Sequence, residues 1–220
     1  MTKSIRAEIF VVAVAAACLS LAQGVDSGPI SEAEAEAVAS RPLTLAKSEA
    51  AGAQACAFAF LPMLETPAAT WDVTAFRFNL LIGSHHSVRG FDLGLLANMS
   101  DYELSGFAFA GLFNDCGLSD GAFTLAGVFN HASWNYKGLQ LAGALNDSEG
   151  AFTGVQVALC NYTPRLTGLQ VGAVNVIERG RGLQVGVVNT SDVLYGAQIG
   201  VFNIITHSSV PFLPVFNCAF

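Results

Sequence analysis

From residue 90 onward, short apolar runs alternate with short charged stretches, and the alternation keeps step with asparagine. Asn98, Asn114, Asn130, Asn146, Asn161, Asn175, Asn189, Asn203 and Asn217 follow one another at steps of 16, 16, 16, 15, 14, 14, 14 and 14 residues. Two apolar residues precede each of them, and glycine stands three positions before at 111, 127, 143, 172, 186 and 200. Ala158 takes that place in the fifth unit, while Leu95 and Pro214 break the pattern in the first and last, as terminal repeats do. The units are nearly identical at GLQVGAVN (168–175) and GLQVGVVN (182–189).

Runs this short, rich in Val, Leu and Phe and bounded by turn residues, predict β-strands. Upstream, AFAFLPML predicts a strand that stops at Pro62, and TAFRFNLLIG (74–83) a second that ends at Gly83 and a polar loop, SHHS. Identity between successive units is rewarded when parallel rungs stack in register, because each residue then lies on its own equivalent. The expected fold is therefore all-β, a short-coil parallel β-solenoid of 14–16-residue repeats. Nine rungs at ~4.8 Å would give a core roughly 40 Å long.

Strand parity assigns the faces. Leu183, Val185, Val187 and Asn189 are placed inward, the asparagines forming a structural ladder at a corner. Gln184 and Val188 are placed on the other face. There Gln140, Gln156, Gln170, Gln184 and Gln198 would form a second amide ladder, beside an apolar row of Cys160, Val174, Val188, Phe202 and Phe216. This second face is the expected partner surface. The early units carry one extra residue (GLQLAGALN, 138–146, against GVQVALCN, 154–161), expected to be absorbed as a bulge before the glycine.

An antiparallel outer-membrane β-barrel is the alternative architecture, since strands of about ten residues with tight turns give a similar period. The Phe-ended terminus, with Phe212, Phe216 and Phe220 in step, supports it. Similar loops at both ends of every unit oppose it, because barrels pair short turns with long loops.

Composition narrows the class. Charged residues make up 12% of the 220 positions against 52% hydrophobic, which excludes a disordered acidic chain for most of its length. Net charge is −7 with no basic stripe, so no nucleic-acid partner is expected. Of the charged residues from position 76 onward, most lie between an Asn and the next unit, which marks those segments as the solvated side.

The N-terminus reads as an export signal: Lys3 and Arg6, then the apolar run IFVVAVAAACLSLA, then Ser20 and Ala22 before a cleavage position between Ala22 and Gln23. A second reading takes AAAC (15–18) as a lipoprotein box with Cys18 as the lipidation site. Either reading exports the chain. The expected organisation is a signal peptide (1–22), a flexible Ala/Glu-rich spacer (23–54), N-terminal strands capping the repeat (55–89) and a nine-unit repeat domain (90–220).

The units resemble a bacterial family of exported surface-repeat proteins built from GLQIGLIN-type units, and the lead-in AFLPML, FRFNLLIG and VRGFDLGLLAN resembles that family's opening strands. The similarity covers about residues 57–217, although early units such as GFAFAGLFN lack the Gln. It implies a secreted or lipid-anchored surface protein and supplies no catalytic residue.

Candidate chemistry is sparse. GLSDG (117–121) matches a nucleophile elbow around Ser119, but that motif needs a strand before it and a helix after it. His85 and His86 belong to the expected solvated loop, with His131 and His207 distant. Asp115, Ser119 and Asp120 lack the spacing of a calcium loop. Cys116, Cys160 and Cys218 would lie three and four rungs apart, beyond the ~7 Å reach of a disulfide, so no bridge joins them. The N-x-S/T triplets at Asn98, Asn146, Asn161 and Asn189 follow from the ladder phase. The expectation is a non-enzymatic exported protein with a structural or adhesion role, without cofactor or metal. It would sit at the cell-envelope surface or outer membrane, with membrane association through a lipid anchor or, in the alternative, a barrel acting as a pore.

Overall fold

The computed structural model describes residues 50–60, 65–66 and 70–219. The export signal, Cys18 and nearly all of the Ala/Glu-rich segment lie outside the described residues. Within them the chain forms β1 (Ala53–Ala59), β2 (Glu65–Thr66), β3 (Asp72–Asn79), β4 (Ile82–Gly94), β5 (Ala97–Ala110), β6 (Phe113–Ala126) and β7 (Phe129–Ala132). Then come β8 (Tyr136–Ala142), β9 (Leu145–Ser148), β10 (Ala151–Val157), β11 (Cys160–Val171), β12 (Val174–Ile205) and β13 (Phe212–Ala219).

Apart from the two-residue β2, which pairs antiparallel with β1, pairing is parallel from β1 through β12, each coil lying in register on the one before, in about eight turns. This is the β-solenoid, and not the barrel. Gly154 pairs with Gly168, Leu169 with Leu183, and Gln170 with Gln184, so equivalent residues do stack on themselves. At the repeated glycine the coils touch backbone to backbone: a Cβ on Gly182, whose φ is +139°, would collide with the carbonyl of Gly168.

The N-terminal strands extend the same stack: β4 runs through the expected domain boundary at 89/90 without a break. The polar loop expected at SHHS is absent, because β3 ends at Asn79 and β4 resumes at Ile82 and continues through residues 84–87. Between His85 and Ser87 the register with β5 shifts by one, Asp101 and Tyr102 standing opposite the single His86, and both histidines are buried. The extra residue of the early units falls among 142–144, since Leu141 still pairs with Val157 and Leu145 with Cys160.

The last unit departs from the repeat. β13 pairs antiparallel with β12 and sets Asn217 opposite Gln198, so it closes the C-terminal edge instead of adding a ninth parallel rung. Inside the coils, one half of the core is apolar. Val73, Val88, Leu104, Tyr136, Phe152, Leu166 and Leu194 are buried there, with Phe152 stacked on Tyr136 at 5.3 Å.

Candidate functional site

The other half of the interior is polar. Gln140, Gln156, Gln170, Gln184 and Gln198 are completely buried, as are the ladder asparagines to within 2%. The expected assignment of faces is thereby reversed for the glutamines: they point inward and cannot form the partner surface. Leu183 and Val185 are only half-buried, and Val187 is exposed. Parity along the strand separates Gln184 from its neighbours correctly, but parity does not say which side is inside. Gln184 and Asn189 are five residues apart and both inward, because the corner at residues 186–188 breaks the alternation.

Burying this many amides is tolerable only if each is hydrogen-bonded. Along the Asn ladder from Asn98 to Asn189 each Nδ2 donates to the Oδ1 of the next coil, as Asn98 to Asn114 (3.0 Å), Asn161 to Asn175 (2.9 Å), Asn175 to Asn189 (2.8 Å) and Asn189 to Asn203 (2.8 Å), with Asn114, Asn130, Asn146 and Asn161 joined likewise. Asn203 Nδ2 instead donates to Gly200 O and Leu213 O. The second amide proton goes to a backbone carbonyl, as from Asn175 to Val185 O at 2.9 Å. A carbonyl only accepts, so this second bond orients the amide. The Gln ladder runs the opposite way: Gln156 donates to Gln140 (2.9 Å), Gln170 to Gln156 (2.9 Å), Gln184 to Gln170 (3.0 Å) and Gln198 to Gln184 (2.8 Å).

A directional ladder must end in an unmatched group. The buried atoms without a partner include Gln140 Nε2 and Gln198 Oε1, the donor and acceptor at the two ends of the Gln ladder, and Asn79 Oδ1 at the start of the Asn ladder. Asn79 escaped the sequence pattern because it lies 19 residues before Asn98, out of phase. The backbone position in register with Asn98 is Gly83, and the Asn79 side chain fills the space there, donating to Asn98 Oδ1 at 2.6 Å.

The Gln column continues N-terminally through Thr124 and Ala108 to Asp92 and Arg77, which form a wholly buried ion pair. Arg77 Nε donates to Asp92 at 2.7 Å, and its Nη1 donates to Met99 O at 2.7 Å. Asn79 Nδ2 also donates to Asp92, at 3.1 Å, joining the pair to the Asn ladder. Burial raises the pKa of the Asp92 carboxyl, and the Arg77 charge and hydrogen bonds counter it only in part. The residues are 15 apart, one coil, which was the available sequence signal.

The candidate chemical groups do not converge. Ser119 lies buried within β6, its hydroxyl donating to Lys137 O (3.0 Å) and accepting from Ala122 N–H (3.0 Å). Asp120 pairs with Lys137 Nζ at 3.0 Å, while Asp115 is in register with His131. His86 Nδ1 lies 2.8 Å from Asp72 and 3.2 Å from the Ser87 hydroxyl, so acid and hydroxyl share one ring nitrogen, which no relay through the ring could use. His131 Nδ1 meets Asp147 at 3.2 Å. Burial lowers the His131 pKa, but Asp147, Asp115 and Glu149 outweigh it and the net shift is upward. No group of three or more His, Cys, Asp or Glu among the described residues could hold a metal ion. No disulfide joins Cys56, Cys116, Cys160 and Cys218, and Cys160 stacks between Leu145 and Val174 as a small apolar residue.

The outside of the Gln strands is apolar. Flanking the buried Gln column, one outer column holds Phe76, Phe91, Phe107 and Phe123, then Leu139, Val155, Leu169, Leu183 and Ala197. The other holds Phe78, Leu93, Phe109 and Leu125, then Leu141, Val157, Val171, Val185 and Ile199. None of these residues is buried and none is charged or polar. Searches against known protein families, curated proteins and solved structures find no match to this chain.

Proposed function

We propose that the chain is a non-enzymatic, exported surface-repeat protein with a structural or adhesive role exerted through the outer apolar face of its Gln strands. The single observation that carries this reading is that face: two adjacent columns, uncharged and unburied over nine successive rungs. A soluble monomer seldom leaves so long an apolar surface uncovered, so it belongs to contact with something else. The amide ladders supply a rigid scaffold behind it. The leader of the sequence supports export, to the envelope surface.

The test is fractionation of cells expressing the full chain, with protease applied to intact cells. Protease sensitivity at the surface, and release when Cys18→Ala or the 22/23 junction removes the anchor, support the reading. Retention of the protein in the cytoplasm, with residues 1–22 uncleaved, overturns it.

A further inference from the structure

The outer apolar face tapers in side-chain size along the stack. Its N-terminal rungs present aromatic rings, with Phe107 and Phe123 stacked at 4.9 Å between centroids. Its C-terminal rungs present Leu183 with Val185 and then Ala197 with Ile199, beyond which β13 adds Cys218 and Phe216. A flat partner would meet the phenylalanines and leave a gap over the small residues. Sheets pack at a nearly constant separation of about 10 Å, so the complement to this wedge is the same wedge turned end for end.

We infer that the face pairs with a second copy of the chain, across a two-fold axis parallel to the strands that passes near the Leu139 rung. This deepens the proposed function, because it rests on reading the same face as an interaction surface. The rotation reverses the stacking direction and keeps each column facing itself. Phe107 then lies over the partner's Leu169 and Phe91 over the partner's Leu183, so within these nine rungs each ring meets a smaller aliphatic group. The other two-fold, parallel to the stack, would set the aromatic rungs of both copies together and leave the Val and Ala rungs apart.

The size of the face suits a dimer. Nine rungs at ~4.8 Å span about 40 Å, and two columns of alternate residues, four residues of strand at ~3.4 Å, give about 14 Å. The resulting area, roughly 550 Å² per copy or about 1,100 Å² for the pair, clears the ~1,000 Å² that a specific protein–protein interface needs. The chemistry argues against a bilayer surface as the occupant. The two columns contain no Lys or Arg to engage anionic headgroups, and the chain carries a net charge of −7.

The first measurement is sedimentation equilibrium of the full chain, where a dimer is expected. Single-cysteine variants then report the geometry, made in a background with Cys56 and Cys218 changed to Ser. Mild oxidation should cross-link Phe107→Cys to Leu169→Cys when the two are mixed and Leu139→Cys to itself, and should leave Phe107→Cys alone uncoupled. Val155→Asp should yield a monomer with an unchanged β circular-dichroism spectrum. Self-coupling of Phe107→Cys would overturn the end-for-end arrangement. A monomeric wild type that binds neutral phosphatidylcholine vesicles would overturn the pairing and keep the face as an interaction surface. A monomer that binds neither vesicles nor intact cells would overturn both.

Discussion

The side chain of Asn79 occupies the space that a side chain at residue 83 would need. The two lie four residues apart on successive strands, and a Cβ built on Gly83 collides with the Asn79 carboxamide. The first rung of the Asn ladder is thus made by a residue from outside the ladder's backbone position. Gly83→Ala should lower stability by about 1–3 kcal/mol, as overpacking does, and displace the donor to Asn98. The double variant Asn79→Ala/Gly83→Asn, which restores an asparagine in phase, should recover part of that loss. Thermal melts of the three proteins check this, and a double variant no more stable than Gly83→Ala would exclude the substitution of one residue for the other.

Position within the Gln ladder should set the cost of breaking it. Gln170→Leu orphans the acceptor on Gln156, a buried group worth about 1–3 kcal/mol when unpaired, and leaves Gln184 Nε2 only the Thr190 carbonyl at 3.4 Å. Gln140→Leu also removes an amide nitrogen that already lacks a partner, and Gln156 Nε2 keeps the Ser148 hydroxyl at 3.3 Å. Urea titrations should therefore show a clearly larger loss for Gln170→Leu. Equal losses at the two sites would mean that the ladder bonds contribute nothing as a chain.

The Asn ladder allows a comparison with the surface. Asn175→Leu deprives Asn161 of an acceptor, Asn189 of a donor and Val185 O of its amide. It should cost about 2–5 kcal/mol, whereas Glu178→Gln, at an exposed position, should change stability by less than about 0.5 kcal/mol. Matching melting temperatures for the two variants would end the ladder argument.

Removing one member of the Arg77–Asp92 pair should be worse than removing both. Arg77→Met leaves the Asp92 carboxylate buried beside Asn79 without its cation, a loss of about 3–5 kcal/mol. Arg77→Met/Asp92→Leu should be less destabilised than either single change. A double variant that loses the sum of the two single costs would show that the pair has no internal coupling.

His131 makes stability depend on pH. Its pKa is raised in the folded protein by Asp147, Asp115 and Glu149 against the opposing effect of burial. Its stabilising contribution is accordingly complete below the unfolded value of about 6.5 and is lost as pH rises through the higher folded value. Melting temperature should fall over that interval, and His131→Gln should flatten the profile there. An unchanged slope in the variant would assign the dependence to other groups.

Much of this architecture is legible in the chain because a parallel solenoid repeats its environment every coil. The asparagine phase and the coil length follow from spacing, and identity between units favours parallel stacking over the barrel of similar period, since in-register neighbours are a fixed number of residues apart. What breaks the phase is not legible in the same way. Asn79 reaches a slot that belongs to Gly83, and Ile177 fills the space above Gly180 in the same manner. Both need three-dimensional neighbours to be seen. The reversal of β13 likewise keeps the Asn period in sequence while changing its partner to Gln198.

The decisive matter left to tertiary structure is which face of the strand is inside. Alternation separates Gln184 from Leu183 and Val185 and is indifferent to the sign. Ordinary hydrophobic preference would put the aliphatic residues in. The closed coil decides otherwise, because amides stacked coil on coil satisfy one another along the axis. The apolar residues are turned outward.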